Sequence, residues 1–238
     1  MDHLLSNGAL GIFVDDMDSY HYGNRPNGIY IPRFRNLDEN DDTDFIRGYG
    51  YQGSAMRLNW SARFNQRGFG ADLKNNLRKP SPMNVFSLEG FLECLPRESN
   101  CVTLDPTKLD RFGIPQVAIE FDWSDNERKM MADMQTQAER LMKAAGAVYI
   151  VANVPKELGG EAPIGGMGIH EMGTARMGND PKTSVLNKHN QAHDVPNLFV
   201  TDGSFMTSSS CVNPSLTYMA FTARACDYAV KQLEAGKI

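Results

Sequence analysis

The sequence predicts an α+β fold in which an antiparallel sheet and helices are followed by a terminal strand–helix unit. Apolar and polar residues alternate with a period of two in the middle of the chain, as they do in a strand with one wet face. Helical spacing of apolar residues replaces that alternation after Ser124. Near the carboxyl end, a short all-apolar run precedes a second long helical pattern, which completes the evidence for this class.

The clearest strand pattern covers residues 116–123. Val117, Ile119, Phe121 and Trp123 occupy one face of this segment, whereas its polar residues occupy the other. Because only one face is apolar, the strand is expected to bury that face in a core and to leave the other in water.

Three weaker strand patterns lie in residues 28–34, 83–95 and 102–104. The rest of the first fifty residues is expected to be irregular, because glycine, asparagine and aspartate are frequent there. The acidic run 38–44 is interpreted as a solvated surface loop rather than a cation site.

A helix is predicted to begin at Ser124, whose hydroxyl forms a capping-box pattern with the carboxylate of Glu127. Gly146 is expected to end this helix, since glycine adopts the left-handed conformation without strain. The apolar positions that recur between them at helical spacing are Met130, Met134, Leu141 and Ala145.

The carboxyl-terminal residues predict half of an α/β unit. Residues 198–200 are typical of a brief strand buried on both faces, and Pro214 suits the first turn of a helix with Asn213 as its cap. No sheet partners for this strand are evident in the sequence, which indicates that the unit belongs to a further domain. One face of the helix is apolar and is expected to be buried, its cysteine included; that face carries Met219, Ala223, Cys226, Val230 and Leu233.

Composition argues against several classes of function. With 41% hydrophobic and 22% charged residues, the chain has the composition of a globular protein with a substantial core. Its net charge of −5 gives no reason to expect nucleic acid or an anionic membrane as a partner. No apolar run approaches the roughly 20 residues that span a bilayer, and no basic region followed by an apolar stretch opens the sequence. The cysteines lack metal-site or redox spacing, which leaves a Cys94–Cys101 bridge and the cellular compartment open.

Two patterns resemble binding motifs but lack their context. Gly48, Gly50 and Gly53 match the spacing of a dinucleotide-binding loop, yet the residues after them alternate like a strand instead of opening a helix. A bend or bulge in a sheet is therefore the preferred interpretation. His189 and His193 have a spacing that can bind zinc, but they lie in a polar segment before a proline turn, which favours a surface loop. No metal site is predicted, and a zinc hydrolase would require bound metal.

The most informative segment is the glycine-rich run 168–178, which contains His170. Its glycines allow backbone and a bound group to approach closely, and an imidazole, with an ordinary pKa of about 6.5, can accept a proton near neutral pH. Two further motifs follow in order, Asp202–Gly203 after the apolar run and Asn213–Pro214 at the start of the helix. A helix N-terminus carries about half a positive charge, which would stabilise negative charge on a bound group. The side chain of Asn213 can cap the helix, direct its amide at a substrate hydroxyl, or do both.

In order and spacing these motifs resemble the carboxyl-terminal end of the glucose–methanol–choline (GMC) family of flavin oxidoreductases. The pattern is similar to that of bacterial glucoside 3-dehydrogenases and pyranose 2-oxidase, which pair a histidine with an asparagine. The resemblance implies that His170 takes the proton of an alcohol, often a sugar hydroxyl, while hydride passes to FAD. It implies that Asn213 holds the same hydroxyl, and that the contacts to FAD come from Asp202, Gly203, Pro214 and Thr217.

The same resemblance implies three regions. A leading segment, 1–24, enters a substrate-binding domain at 25–165, which in this family is a large antiparallel sheet backed by helices. Residues 166–238 then supply the catalytic loop and the last strand and helix of an FAD-binding α/β domain that is otherwise missing. An amino-terminal FAD-binding half is therefore expected to be required as a partner, and the FAD site of this chain is expected to be incomplete.

Two hypotheses about function follow. The first is that the chain is the substrate-binding and catalytic part of an FAD-dependent enzyme that oxidises a CH–OH group of a sugar or another alcohol. The alternative is a non-catalytic carbohydrate-binding or complementing subunit of a split flavoenzyme, although the presence of both His170 and Asn213 argues against a binder without activity. The substrate, the electron acceptor and the choice between oxidase and dehydrogenase are open at this level.

Overall fold

The computed structural model describes residues 3–14, 28–38, 41–58, 67–79, 81–152 and 170–238. The strands along these ranges are β1 (His3–Val14), β2 (Ile29–Ile31), β3 (Tyr49–Arg57), β4 (Met83–Glu93), β5 (Cys101–Leu109), β6 (Pro115–Glu120) and β7 (Tyr149–Ala152). The helices are α1 (Gly70–Arg78), α2 (Asp125–Ala144) and α3 (Ser215–Glu234), with a 3₁₀ turn at Gly203–Phe205. None of the helices in these ranges is long and apolar enough to cross a membrane. The mixture of antiparallel strands and helices confirms the predicted α+β class.

A five-stranded antiparallel sheet, in the order β2-β3-β4-β1-β7, forms the framework of the fold. β1 lies inside this sheet, between β4 and β7, so the prediction of irregular structure for these residues is wrong. The pairing of β1 with β4 shifts its register between Leu5 and Gly8, and such a shift interrupts the alternation by which a strand is recognised.

α2 packs on one face of the sheet and forms the main hydrophobic core with it. Alternation along β3 and β4 directs Tyr51, Leu88 and Leu92 toward this helix. The methionines of α2 fill the space between these larger side chains, as flexible thioethers do in an irregular core. The buried members contributed by the helix are Met130, Met131, Met134, Ala138 and Met142.

Both ends of α2 confirm the predicted signals. The carboxylate of Glu127 accepts hydrogen bonds from the backbone N–H of Ser124 at 2.8 Å and from the Ser124 hydroxyl, which completes the capping box. The same carboxylate accepts from the N–H of Leu95 at 3.1 Å and so ties the helix to the end of β4. Burial opposes the charge of Glu127, but these hydrogen bonds outweigh it and keep the pKa of the carboxyl below its usual value. Gly146, with a φ of 92°, follows the helix.

A polar network joins α2 to the segment after β2. The guanidinium of Arg35 donates to Asp133 at 2.9 and 3.1 Å, and the Tyr49 hydroxyl donates to the same carboxylate. Arg35 also pairs with Asp41 at 3.1 Å, so this member of the acidic run is not the solvated residue that was predicted. Burial disfavours charge on Asp133, but the hydrogen bonds from Arg35, Tyr49 and Gln137 outweigh it and lower the pKa of the carboxyl.

The glycine-rich motif lies in the sheet, as predicted, but β3 pairs with β4 through it without a register shift, so the predicted bulge is not formed between these strands. Gly50 and Gly53 lie within β3, which pairs with β4 along its length. A side chain at Gly53 would overlap the backbone carbonyl of Ser87 in β4, so the close pairing of the two strands requires glycine at this position.

β5 and β6 form a two-stranded sheet apart from the main one. The strand predicted at 116–123 is present in a shorter form, but its apolar face is not buried as expected. Val117 and Ile119 are 61% and 62% exposed, whereas Phe121 and Trp123, just beyond the strand, reach the core. Alternation identifies the residues that share a face of a strand, but it does not identify the surface that covers them.

The carboxyl-terminal helix is present as predicted, but the strand before it is not. Residues 198–200 contain one isolated bridge, between Phe199 and Gln191, instead of a regular strand. Pro214 occupies the N-cap position of α3, so the prediction of Asn213 as the cap is wrong by one residue. The sheet neighbour that would extend this bridge into a strand is not formed by the described residues.

The apolar face of α3 is exposed within the described part of the chain. Leu216, Met219 and Leu233 are 81%, 67% and 65% exposed, and Cys226 is exposed as well. The prediction that this cysteine is buried is therefore wrong for the chain by itself. The periodicity predicts an amphipathic helix correctly, but the described residues do not supply the surface that would cover its apolar face.

Replacing Met134 by alanine is expected to lower the free energy of unfolding by about 2–5 kcal/mol, because the truncation leaves a cavity in the core under α2. The same replacement of Met219, which is exposed on α3, is the matched control and is expected to change it by less than about 0.5 kcal/mol. Urea unfolding followed by circular dichroism measures both. Equal losses in the two variants would contradict the assignment of the core.

The network around Asp133 predicts a dependence of stability on pH. Because the folded-state pKa of Asp133 is lowered, its stabilising effect is complete above the ordinary aspartate value of about 3.9 and is lost as the pH falls through the lowered pKa. The difference in free energy of unfolding between the native chain and Asp133→Asn should therefore be largest near pH 7 and should shrink on acidification. Asp227→Asn removes an exposed ion pair with Lys231, and the difference in free energy of unfolding that it causes should not shrink on acidification. A difference in free energy of unfolding between the native chain and Asp133→Asn that stays constant with pH would refute the argument.

Candidate active site

Backbone hydrogen bonds hold the loop that contains His170 against the 3₁₀ turn before α3. Alternate N–H groups of the loop donate to successive carbonyl oxygens of the turn. The pairs are Gly173 with Gly203 at 3.1 Å, Ala175 with Ser204 at 2.9 Å, and Met177 with Phe205 at 2.9 Å. Gly173 has a φ of 83°, a conformation that glycine adopts without strain. Gly168, where the predicted motif begins, lies outside the described residues.

A second hydrophobic cluster lies beneath this loop and joins it to α3. Phe205, from the 3₁₀ turn, is buried together with Leu186 and Ala192. The ring of Phe205 stacks on Phe221 of α3, with centroids 4.7 Å apart and an interplanar angle of 18°. The loop and the turn thereby pack on the first turns of α3. These elements and the rest of α3 are called here the carboxyl-terminal unit (residues 170–238).

The face of the sheet opposite α2 receives the carboxyl-terminal unit. Phe91 of β4 lies on that face beside His170, with ring centroids 6.2 Å apart. Gly50 of β3 lies under the buried Cys211, since a Cβ at Gly50 would stand 3.6 Å from the thiol sulfur. Burial and the nearby charge of Glu93 raise the pKa of Cys211, so the thiol stays protonated and packs as a neutral side chain.

A cleft of about 510 Å³ opens between the His170 loop, the 3₁₀ turn and the N-terminus of α3. Both predicted catalytic residues, His170 and Asn213, line it. His170 is half-buried at the start of its loop, whereas Asn213 lies just before α3. The structure therefore brings together two side chains that are far apart in the sequence.

The side chain of Asn213 is directed toward the sheet rather than along α3. Its Oδ1 accepts a hydrogen bond of 2.8 Å from Nε2 of Gln52 on β3. This contact explains why Asn213 does not cap the helix, because the oxygen that would accept from the first-turn N–H groups bonds to a different element.

The predicted cofactor contacts fall into two groups. Asp202, Gly203 and Pro214 line the cleft, whereas Thr217 lies in the first turn of α3 and is not among the described residues of the lining. The carboxylate of Asp202 accepts from the N–H of Ser204 at 2.9 Å, so it shapes the 3₁₀ turn. A Cβ at Gly203 would lie 2.6 Å from the hydroxyl oxygen of Tyr218, so a side chain there would require the Tyr218 ring to shift.

The N-terminus of α3 faces the cleft. Pro214 and Ser215 line it, and the N–H of Tyr218 donates to the carbonyl of Pro214 at 3.0 Å. The first turn contains no acidic residue, so the positive end of the helix dipole is not neutralised from within the helix. Negative charge on a group bound in the cleft would be stabilised by this end of the helix.

Glu171 and Tyr218 are among the polar residues of the cleft that sequence reasoning missed. The carboxylate oxygen Oε1 of Glu171 is buried and has no hydrogen-bond partner among the described residues. Burial and the charge of Asp202 raise the pKa of Tyr218, so its hydroxyl is protonated at neutral pH. The sequence could have predicted Tyr218, because it follows Pro214 by one helical turn. Glu171 had no sequence signal other than its position next to His170.

The histidines considered for zinc are engaged elsewhere. Nε2 of His193 lies 3.1 Å from the hydroxyl oxygen of Ser184, and the ring of His189 stacks on Tyr228 with centroids 3.8 Å apart. Both lie in the loop before α3, as predicted, and not on a helix. In the ranges that the structure covers, no three side chains of the His, Cys, Asp or Glu type are grouped to hold a metal ion.

Several characterised proteins are similar to this chain. A 2-methyl-1,2-propanediol dehydrogenase of Mycolicibacterium austroafricanum is 34% identical over 235 residues, which cover 96% of this chain and 40% of that protein. The fructose dehydrogenase large subunit of Gluconobacter japonicus is 28% identical, over 82% of this chain and 35% of the relative. A pyranose 2-oxidase of Tricholoma matsutake is 28% identical, over 65% of this chain and 28% of the relative. The chain thus spans two fifths or less of the length of these relatives.

A family comparison covers much of the same region. The profile described as GMC oxidoreductase matches residues 96–222, which is more than half of the chain. The matched range includes the His170 loop, the 3₁₀ turn and the N-terminus of α3, which together line the cleft. The chain belongs to the GMC oxidoreductase family.

Proposed function

We propose that this chain is the substrate-binding and catalytic part of an FAD-dependent enzyme that oxidises a CH–OH group of a sugar or polyol. The observation that carries the proposal is the shared cleft, in which an imidazole, a carboxamide and the N-terminus of a long helix meet. The names of the relatives, which refer to a diol, fructose and pyranose, support an alcohol with several hydroxyl groups as substrate.

The residues of the cleft fit the flavin end of FAD. Gly203 provides a backbone surface without a side chain, and Pro214 and Ser215 present the positive end of α3. These features suit the edge of a ring that becomes negatively charged on reduction. When bound, FAD would supply the acceptor for the hydride that leaves the carbinol carbon. Asp202 supports this surface indirectly, by holding the 3₁₀ turn in shape.

His170 and Asn213 divide the work on the substrate hydroxyl. His170 accepts the hydroxyl proton as the carbon–hydrogen bond breaks, which requires its imidazole to be neutral beforehand. Asn213 holds the carbinol oxygen and stabilises the negative charge that develops on it as the proton leaves. Phe91, packed beside the imidazole, limits the positions that the ring of His170 can adopt.

The remaining FAD contacts are proposed to come from an amino-terminal half. The chain spans 40% of the diol dehydrogenase that it resembles, and the apolar face of α3 is uncovered among the described residues. An exposed apolar stripe on a long helix is typical of a surface that packs on another element. The division into 1–24, 25–165 and 166–238 stays a prediction, and residues 15–27 and 153–169 lie outside the described residues.

Replacing His170 by alanine in the enzyme reconstituted with its FAD-binding half is expected to lower kcat by roughly 10²–10⁴-fold, because the general base is lost. Stopped-flow measurement of flavin bleaching by a sugar or polyol gives the rate of the reductive half-reaction directly. His193→Ala, in the loop outside the cleft, is the matched control and should leave this rate unchanged.

Unchanged bleaching in His170→Ala would refute the role of this residue as the base. Reconstitution that yields bound flavin but no bleaching with any of a panel of sugars and polyols would instead favour the alternative, a non-catalytic complementing subunit.

The 238-residue chain alone is expected to bind FAD weakly or not at all, and to bind it stoichiometrically once mixed with the amino-terminal half. Met219→Asp should weaken this association at least tenfold, because a charge is placed on the apolar face of α3. Val185→Asp, at an exposed valine outside that helix, is the control. Sedimentation velocity with detection at the flavin absorbance wavelength reports both the association of the two halves and the FAD bound to the complex. A yellow, stoichiometric flavoprotein formed from this chain alone would overturn the expectation.

A further inference from the structure

The hydrogen bond between Gln52 and Asn213 joins the sheet to the cleft. Nε2 of Gln52 donates to Oδ1 of Asn213 at 2.8 Å, across 161 positions of sequence. Gln52 lies within the glycine-rich stretch of β3 and belongs to none of the motifs on which the family resemblance rests.

The position of Gln52 is determined by the sheet. In β3 it is paired with Tyr30 of β2 on one side and with Glu89 of β4 on the other, so its backbone is held from both directions. Its neighbour Tyr51 points into the core under α2, and alternation therefore directs Gln52 to the opposite face, which receives the carboxyl-terminal unit. A donor at this point is thus attached to a strand that is paired on both sides.

The direction of this hydrogen bond matters because a carboxamide has two chemically different ends. Its oxygen accepts hydrogen bonds, and its nitrogen donates them. An oxygen that loses a proton to a base becomes negatively charged, so it is stabilised by a donor and repelled by an acceptor. In the structure Gln52 engages the acceptor end of Asn213, so the oxygen of Asn213 faces the sheet.

We propose that Gln52 is a positioning residue for the oxidation, which orients the Asn213 carboxamide so that its amino group is presented to the carbinol oxygen of the substrate. This inference rests on the proposed function. Gln52 itself is not among the described residues that line the cleft, so it acts through Asn213 and not by direct contact with substrate.

A double-mutant cycle in the reconstituted, flavin-loaded enzyme tests the proposal. Gln52→Ala should lower the rate of flavin reduction at saturating substrate about 3–10-fold, the range expected for loss of one neutral hydrogen bond. Gln52→Glu should lower it further, roughly 10–100-fold, because an acceptor of the same shape reverses the carboxamide. KM should change less than kcat in both variants. Gln116→Ala and Gln116→Glu, at an exposed glutamine on β6, are the matched controls and should change neither constant.

The decisive comparison is made in the Asn213→Ala background. If Gln52 acts through Asn213, the Gln52 substitutions should have no further effect there; equal effects in the two backgrounds would overturn the proposal. Failure of the proposed function gives a different result, since the reconstituted native enzyme would then show no flavin reduction with any sugar or polyol.

A second measurement needs neither cofactor nor turnover. In the ¹⁵N-labelled 238-residue chain, the side-chain NH₂ resonances of Asn213 should show an NOE to those of Gln52 and should shift in Gln52→Ala but not in Gln116→Ala. Absence of both signals in a folded chain would contradict the contact on which the proposal is built.

Discussion

The alternation of side chains across the β3–β4 pair is the constraint on which the rest of the structure depends. On one face, Tyr51, Leu88 and Leu92 pack against the methionines of α2 and form the main core. On the other, Gln52 and Phe91 contact the two residues proposed to act on the substrate, Asn213 and His170. The same strands therefore stabilise the fold and determine where the site lies. A shift of one residue in their register would exchange the two faces and remove both.

The two faces of the sheet are stabilised by different kinds of contact. The α2 face relies on burial of large apolar side chains and on partly buried hydrogen bonds to Glu127 and Asp133. The opposite face relies on a few specific contacts, together with the small cluster around Phe205. The cleft itself is lined by residues of the carboxyl-terminal unit, from the His170 loop, the 3₁₀ turn and the N-terminus of α3.

Two features of the carboxyl-terminal unit, the exposed apolar face of α3 and the isolated bridge at Phe199, support the proposed packing of an amino-terminal half. The outer face of α3 would be costly to leave in water in a complete enzyme, and the isolated bridge at Phe199 is where a strand partner would be needed. Both lie in the part of the chain that is proposed to complete an FAD-binding domain. The exposed residues of β5 and β6 have no such sequence context, and the structure gives no reason to assign them to the same partner.

The sequence alone determined the features that depend on local chemistry: the strand patterns of β2, β4, β5 and β6, both ends of α2, the amphipathic character of α3, and the motifs around His170 and Asn213. These follow from periodicity, capping and glycine conformation, which act over a few residues. Only the tertiary structure decided that β1 lies within the sheet, that Asn213 turns toward Gln52 instead of capping α3, and that Glu171 and Tyr218 share the cleft. Each of these depends on contacts between residues distant in sequence, and no local pattern records which distant residue will supply a hydrogen bond or cover a face.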